Sequence, residues 1–146
     1  SLGLTLTRTL WGLRRGDPRF THAAPVAVTL DDAPPLPEQE ALILLVSSLR
    51  RLSLGMCPFW GTGSGAIRLT LIRPQPERFL RSLPSLLRGR PGRHVSEQAG
   101  YVSHNAHRLS LLMDGALNLD GEIHHVRRED GPVRIANGGE FTFLRP

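Results

Sequence analysis

The fold turns on Leu109-Ser110-Leu111-Leu112-Met113-Asp114-Gly115-Ala116-Leu117-Asn118-Leu119-Asp120-Gly121-Glu122-Ile123 (LSLLMDGALNLDGEI). Leu109, Leu111 and Met113 recur at every second residue, the period of a strand with one buried face, and Asp114-Gly115 is a turn signal. A second strand runs from Ile123 to Arg127 after Asp120-Gly121-Glu122. Val133 and Ile135 alternate, Asn137-Gly138-Gly139 turns, and Phe141 and Phe143 alternate toward the end. Short strands joined by Gly-containing turns predict antiparallel pairing.

Working toward the N-terminus, Ala66 to Arg73 places Ile67, Leu69 and Leu71 on one face of a strand. The glycine-rich Leu52 to Gly65 (LSLGMCPFWGTGSG) reads as loop. Ala41 to Ser48 (ALILLVSS) is continuously apolar, which predicts a strand buried on both faces. Val26, Val28 and Leu30 alternate into Asp31-Asp32, a strand running into a turn, and Pro34, Pro35 and Pro37 hold the next segment extended. Between Pro76 and Arg88, Phe79, Leu80, Leu83, Leu86 and Leu87 share one side of a helix. Pro84 within it predicts a kink or an early end, and Gly89 to Gly92 closes it. Leu4 to Leu13 fits a short helix by Leu6, Leu10 and Leu13, or a strand by Leu2, Leu4 and Leu6. Strands outnumber helices. The pattern predicts a mainly β chain: one domain over residues 1–146, an antiparallel β-sandwich with one or two peripheral helices.

At 146 residues such a domain buries about two-thirds of its unfolded surface, enough for a core without staples. The single cysteine, Cys57, excludes an internal disulfide framework and a cysteine-based zinc site. Ala41 to Val46 is the longest apolar run, far short of a bilayer span. Ser1 to Gly16 lacks the order of a secretory signal, and the start at Ser1 reads as a cut from something longer. The formal charge is +5, and all 18 basic residues are arginine. A basic surface suits nucleic acid, anionic lipid or phosphate-bearing substrates, but the absence of lysine also fits a bias of the coding DNA. Aromatics make up 5% of the chain and are not interleaved with arginine, which argues against a nucleic-acid partner.

Two carboxylates flank Gly121. On an extended backbone, Asp120 and Glu122 point to the same side with Cβ atoms about 6–7 Å apart. One can accept a proton from a hydroxyl while the other orients it, and the glycine lets a substrate approach the backbone. The same residues also suit a plain Asp-Gly hairpin turn, like Asp114-Gly115 and Asp130-Gly131.

The order of elements narrows the choice. An apolar strand (Ala41–Ser48), a Gly-rich loop into a strand (Gly61–Arg73, GTGSGAIRLTLIR) and an Arg/Leu helix (Pro76–Arg93) come first, then Leu119-Asp120-Gly121-Glu122. This series resembles the C-terminal domain of the diacylglycerol kinase-like lipid kinases, bacterial lipid kinases and sphingosine kinases among them. It covers about the last hundred residues. The resemblance implies an ATP-dependent enzyme of phospholipid metabolism that phosphorylates the hydroxyl of a diacylglycerol-like lipid, and a cytoplasmic or inner-membrane-peripheral location. It implies Asp120 as general base, Glu122 as its partner, and ATP with Mg2+ as cofactors of the complete enzyme. The family's nucleotide loop, Gly-Gly-Asp-Gly-Thr, is missing here. The implied chain is therefore a lipid-binding domain, inactive without a nucleotide-binding domain and holding no cofactor tightly. The alternative is a non-catalytic lipid or membrane-surface module of the same fold. Family members commonly carry Asp-Asp-Gly near Gly63-Ser64-Gly65, where this chain has no carboxylate, so no metal site is expected.

Other residues carry two readings. Phe59-Trp60 can line the entrance for an acyl chain or anchor the loop on the sandwich. Arg78, Arg81 and Arg88 border the helix's apolar side and can meet an anionic membrane surface or simply be solvated. His104 with His107, and His124 with His125, read as surface or hydrogen-bonded histidines, since no carboxylate or cysteine constellation accompanies them. Cys57 has no basic partner in sequence, which argues against a catalytic thiol.

Overall fold

The computed structural model describes residues 23–119 and 122–138. The expectations for Leu4 to Leu13 and for Phe141 and Phe143 lie outside them. Among the described residues, nine strands form two facing antiparallel sheets and a separate hairpin. The first sheet runs β2 (Gln39–Ala41), β1 (Ala24–Leu30), β6 (Arg108–Met113), β9 (Val133–Ala136). The second is β3 (Ile43–Ser47), β4 (Ile67–Ile72), β5 (Tyr101–Ala106), and the hairpin pairs β7 (Gly115–Leu119) with β8 (Glu122–Val126). Among the described residues there is one α-helix, α1 (Phe79–Leu87). The chain is mainly β, and its two sheets share one core.

Alternation builds that core. Val26 and Val28 of β1 pair with Met113 and Leu111 of β6, and they face Ile67, Leu69 and Leu71 of β4. Val102 and Leu109 complete the layer. The opposite face of β4 carries Thr70 and Ile72, which are also buried. They are covered by the loop around Phe59 and by α1, whose Leu86 packs with Ile72 and Tyr101.

The apolar run Ala41–Ser48 differs from its expectation. Ala41 pairs with Pro25's neighbour Ala24 in the first sheet. Leu42 turns the corner, its N–H donating to Ile72 O at 2.8 Å. Ile43 onward then pairs with β4 in the second sheet. As the outer strand of that sheet, β3 is half-buried throughout. Its apolar residues line a cavity and are not sealed on both faces. The chain changes sheets again at His107, between β5 and β6.

The helix starts at Phe79, three residues later than the sequence reading, because Arg78 takes a left-handed φ of 51° as its N-cap. It neither kinks to a stop nor ends at Pro84, and it runs on to Leu87. The carbonyl that Pro84 leaves without a helical donor is that of Leu80. Leu80 is 54% exposed, so water can serve that oxygen, and it does not share the buried side with Leu86.

β5 has no apolar alternation in sequence (YVSHNA) because its outward residues bind the Gly-rich loop. Ser103 Oγ accepts the N–H groups of Trp60 and Gly61 at 3.2 and 3.0 Å. Asn105 Nδ2 donates to Gly61 O at 2.9 Å. A Cβ on Gly61 would sit 2.7 Å from the His104 backbone, so the loop lies this close only as glycine. Thr70 Oγ1 donates to Pro58 O at 2.6 Å from the next strand.

Candidate functional site

The β7–β8 hairpin positions the acid motif. Its register pairs Leu119 with Glu122, Asn118 with Ile123, and Leu117 with His124. Asp120 and Gly121 lie between the paired residues and outside the described ones. The reading of Asp-Gly as the link of a hairpin and the reading of the acids as a functional pair meet at this one place.

The hairpin has two faces. Paired residues share a face in an antiparallel ladder, so Leu117, Glu122, His124 and Val126 lie on one side. Leu117 and Val126 are half-buried while Ala116 and Asn118 are exposed, so that side is the one turned toward the body. Glu122 is therefore on the inward face, closer to the tip than Leu117. Its carboxylate is exposed, with Oε2 3.7 Å from His124 Nε2. Ile123, on the outward face, is 68% exposed.

Beneath the hairpin lies a cavity of about 530 Å³, within the range of roughly 300–1,000 Å³ usual for small-molecule sites. Val26, Leu111 and Met113 of the first sheet wall one side, and Leu44 and Val46 of β3 the other. β7 borders it with Ala116, Leu117 and Asn118, and Arg134 is its other polar member. The half-burial of β3 follows from this opening. Leu44 and Val46 touch the core on one side and face the cavity on the other.

A salt-bridge fork holds the hairpin at its base. Arg128, just past β8, binds both oxygens of Glu38 at 2.7 and 3.2 Å, and reaches Pro25 O at 3.3 Å. Its backbone N–H donates to Asp114 Oδ1 at 2.9 Å. Sequence reasoning missed this clamp, because its two halves are far apart in the chain. The Asp114-Gly115 turn that did stand out supplies one of its acceptors.

The remaining candidate residues sit elsewhere. Phe59 is buried, at 6% exposure, and Trp60 packs on the Ile72–Leu86–Tyr101 cluster. Both belong to the loop pinned on β5, and neither lines the cavity under the hairpin. His104 Nε2 is 3.7 Å from Glu97 Oε1, and His107 Nε2 is 3.3 Å from Ser64 Oγ. His124 and His125 fall on opposite faces of β8, as strand alternation requires. Among the described residues no group of three His, Cys, Asp or Glu side chains could hold a metal ion. Gly63-Ser64-Gly65 itself offers no carboxylate, so this stretch does not fit a magnesium ion.

Asp31 is an electrostatic landmark at the opposite corner. Its Oδ1 accepts the N–H groups of His107 and Arg108, both at 2.8 Å. The Arg108 amide is the largest of the influences holding its carboxyl below the ordinary aspartate range. This bond ties the end of β1 to the corner between the sheets and has a structural role.

No protein-family model matches the chain, and no curated protein matches it. Among the described residues no helix is long and apolar enough to cross a membrane. Among solved structures the chain is similar to one described as a diacylglycerol kinase from Bacillus anthracis str. Sterne, with 12% identity and a TM-score of 0.48. The match covers 81% of this chain and 39% of that one, so the chain spans well under half of that protein's length.

Proposed function

We propose that this chain is the lipid-holding β domain of an ATP-dependent lipid kinase that phosphorylates the hydroxyl of a diacylglycerol-like lipid. One observation carries the reading. The strand that borders the apolar cavity through Ala116 and Leu117 is also the strand that leads into Asp120. A ligand with its acyl chain between the sheets would bring its polar end to the hairpin tip. Glu122 lies on the inward face there.

The chain's own share of the chemistry follows. The cavity holds the apolar part of the lipid and so fixes the position of its hydroxyl, converting a chance encounter into an aligned one. The Asp120 carboxylate takes the hydroxyl proton as the oxygen attacks, and Glu122 orients that proton. Phosphoryl transfer needs an in-line acceptor, and this domain supplies the acceptor side. The sequence has no Gly-Gly-Asp-Gly-Thr loop, so the nucleotide is held by another domain, and the isolated chain does not turn over.

In the complete gene product, Asp120→Asn lowers ATP-dependent lipid phosphorylation by about a hundredfold or more, with the melting temperature unchanged. Unchanged turnover in that variant removes Asp120 from the mechanism.

A further inference from the structure

On the far side of the helix from Phe79, the loop after β3 meets the C-terminal end of α1. Cys57 N–H donates to Leu87 O at 2.7 Å. Gly89 makes the approach possible. Its φ is +67°, and a Cβ there would sit 2.8 Å from Cys57 O. The two segments enclose an open cleft of about 360 Å³ lined by Arg51, Gly55, Cys57, Arg88 and Arg90.

Three arginines line this cleft, and no carboxylate does. Three other arginines do meet carboxylates: Arg108 with Asp32, Arg127 with Glu129, Arg128 with Glu38. Among the described residues, no ion pair or side-chain hydrogen bond engages Arg51, Arg88 or Arg90. Basic residues near a helix C-terminus are often explained by the helix dipole. Here the last carbonyls are already served by backbone donors: Ser85 O by Arg88 and Arg90, Leu86 O by Gly89, Leu87 O by Cys57. The three side-chain charges outweigh the roughly half charge of the helix end.

Two exposed leucines flank the lining residues in sequence, Leu49 two positions before Arg51 and Leu54 next to Gly55. Leu54 is 84% exposed, and Leu49 is 62% exposed. Leu54 also holds a left-handed φ of 62° at the tip of the 3-10 turn over Ser53–Gly55. Such a conformation is costly for leucine, and it holds the side chain out of the fold. A soluble anion would gain nothing from exposed leucines. Phosphate groups above a hydrocarbon layer would match both features at once.

We infer that the Arg51–Arg88–Arg90 cleft binds the phosphate groups of an anionic phospholipid surface, with Leu54 and Leu49 entering the interface. This surface takes Arg88 from the helix border marked by the sequence and leaves Arg78, which is turned to His94 at 3.0 Å. The inference stands apart from the kinase reading, because its readout is binding and not turnover.

The test is co-sedimentation of the full chain with vesicles of phosphatidylglycerol in phosphatidylcholine, beside pure phosphatidylcholine and titration with inorganic phosphate. The chain binds the anionic vesicles, and raising salt weakens that binding. Replacing Arg51, Arg88 and Arg90 together by Gln lowers the affinity by about a hundredfold. Leu54→Ser lowers it by about tenfold. Removing equal charge elsewhere, by replacing Arg68, Arg108 and Arg127 with Gln, changes it by less than about threefold. Equal losses in the two triple variants overturn the inference, since binding would then follow net charge alone. Equal binding to neutral vesicles, or saturable phosphate binding without vesicle binding, overturns it as well.

Discussion

Arg128 grips Glu38 with both ends of its guanidinium, Nη2 at 2.7 Å from Oε1 and Nη1 at 3.2 Å from Oε2. The pair joins the base of the β7–β8 hairpin to the segment entering β2. Both groups are partly exposed, so solvent screens much of the attraction, and the bidentate geometry recovers part of it. A double-mutant cycle with Arg128→Gln and Glu38→Gln gives a coupling of roughly 1 kcal/mol in urea unfolding, and smaller in high salt. Additive single effects would show that the fork does not fasten the hairpin.

Ser103 offers a sharper test of the loop. One hydroxyl oxygen accepts two backbone N–H groups, from Trp60 and Gly61, and lies 3.1 Å from Thr70 Oγ1. Ser103→Ala leaves those donors without an acceptor and costs roughly 1–3 kcal/mol. Hydrogen exchange at the amides of Trp60 and Gly61 accelerates more than at β6. Uniform acceleration would mean the loop is held by Phe59 burial alone.

Asp31 gives stability a pH dependence. Its carboxyl is held below the ordinary aspartate range chiefly by the Arg108 amide, so the folded state favours the charged form. A depressed folded value contributes stability at pH above the unfolded value, and that contribution fades as pH falls through the folded one. Asp31→Asn keeps a residue tolerant of the φ of 51° at this position. The variant is less stable than the parent at neutral pH, and the gap narrows below about pH 4. A gap constant from pH 7 to pH 2 would assign the effect to packing.

The cavity predicts a chain-length effect. Leu117→Trp fills space between the sheets beside the acid-bearing tip. If the proposed lipid-kinase reading holds, KM for long-chain diacylglycerol in the enzyme that contains this domain rises about tenfold while short-chain substrate is little affected. An equal change for both would place the acyl chain elsewhere.

Much of this architecture is legible along the chain where one face of a strand is buried. Ile67, Leu69 and Leu71 announce β4, and Leu109, Leu111 and Met113 announce β6, because alternation records burial directly. β5 escapes that logic. Ser103 and Asn105 are polar because their partners are loop amides and carbonyls some forty residues away. The split of Ala41–Ser48 is equally hidden, since continuous apolarity does not say whether the far side is core or cavity. Of the candidate site, the Asp120-Gly121-Glu122 spacing marks the hairpin link. The clamp from Arg128 to Glu38 spans 90 positions and leaves no local pattern.

The corners at Leu42 and His107 bear on how the domain can be taken apart. The second layer is one uninterrupted stretch from β3 to β5, while the first is assembled from β1 and β2 before that stretch and β6 and β9 after it, so cleavage at either corner divides the first layer and leaves the second whole. The middle stretch nevertheless depends on both flanks, because Val26 and Val28 from before it and Leu109 and Leu111 from after it cover the same apolar face of β4.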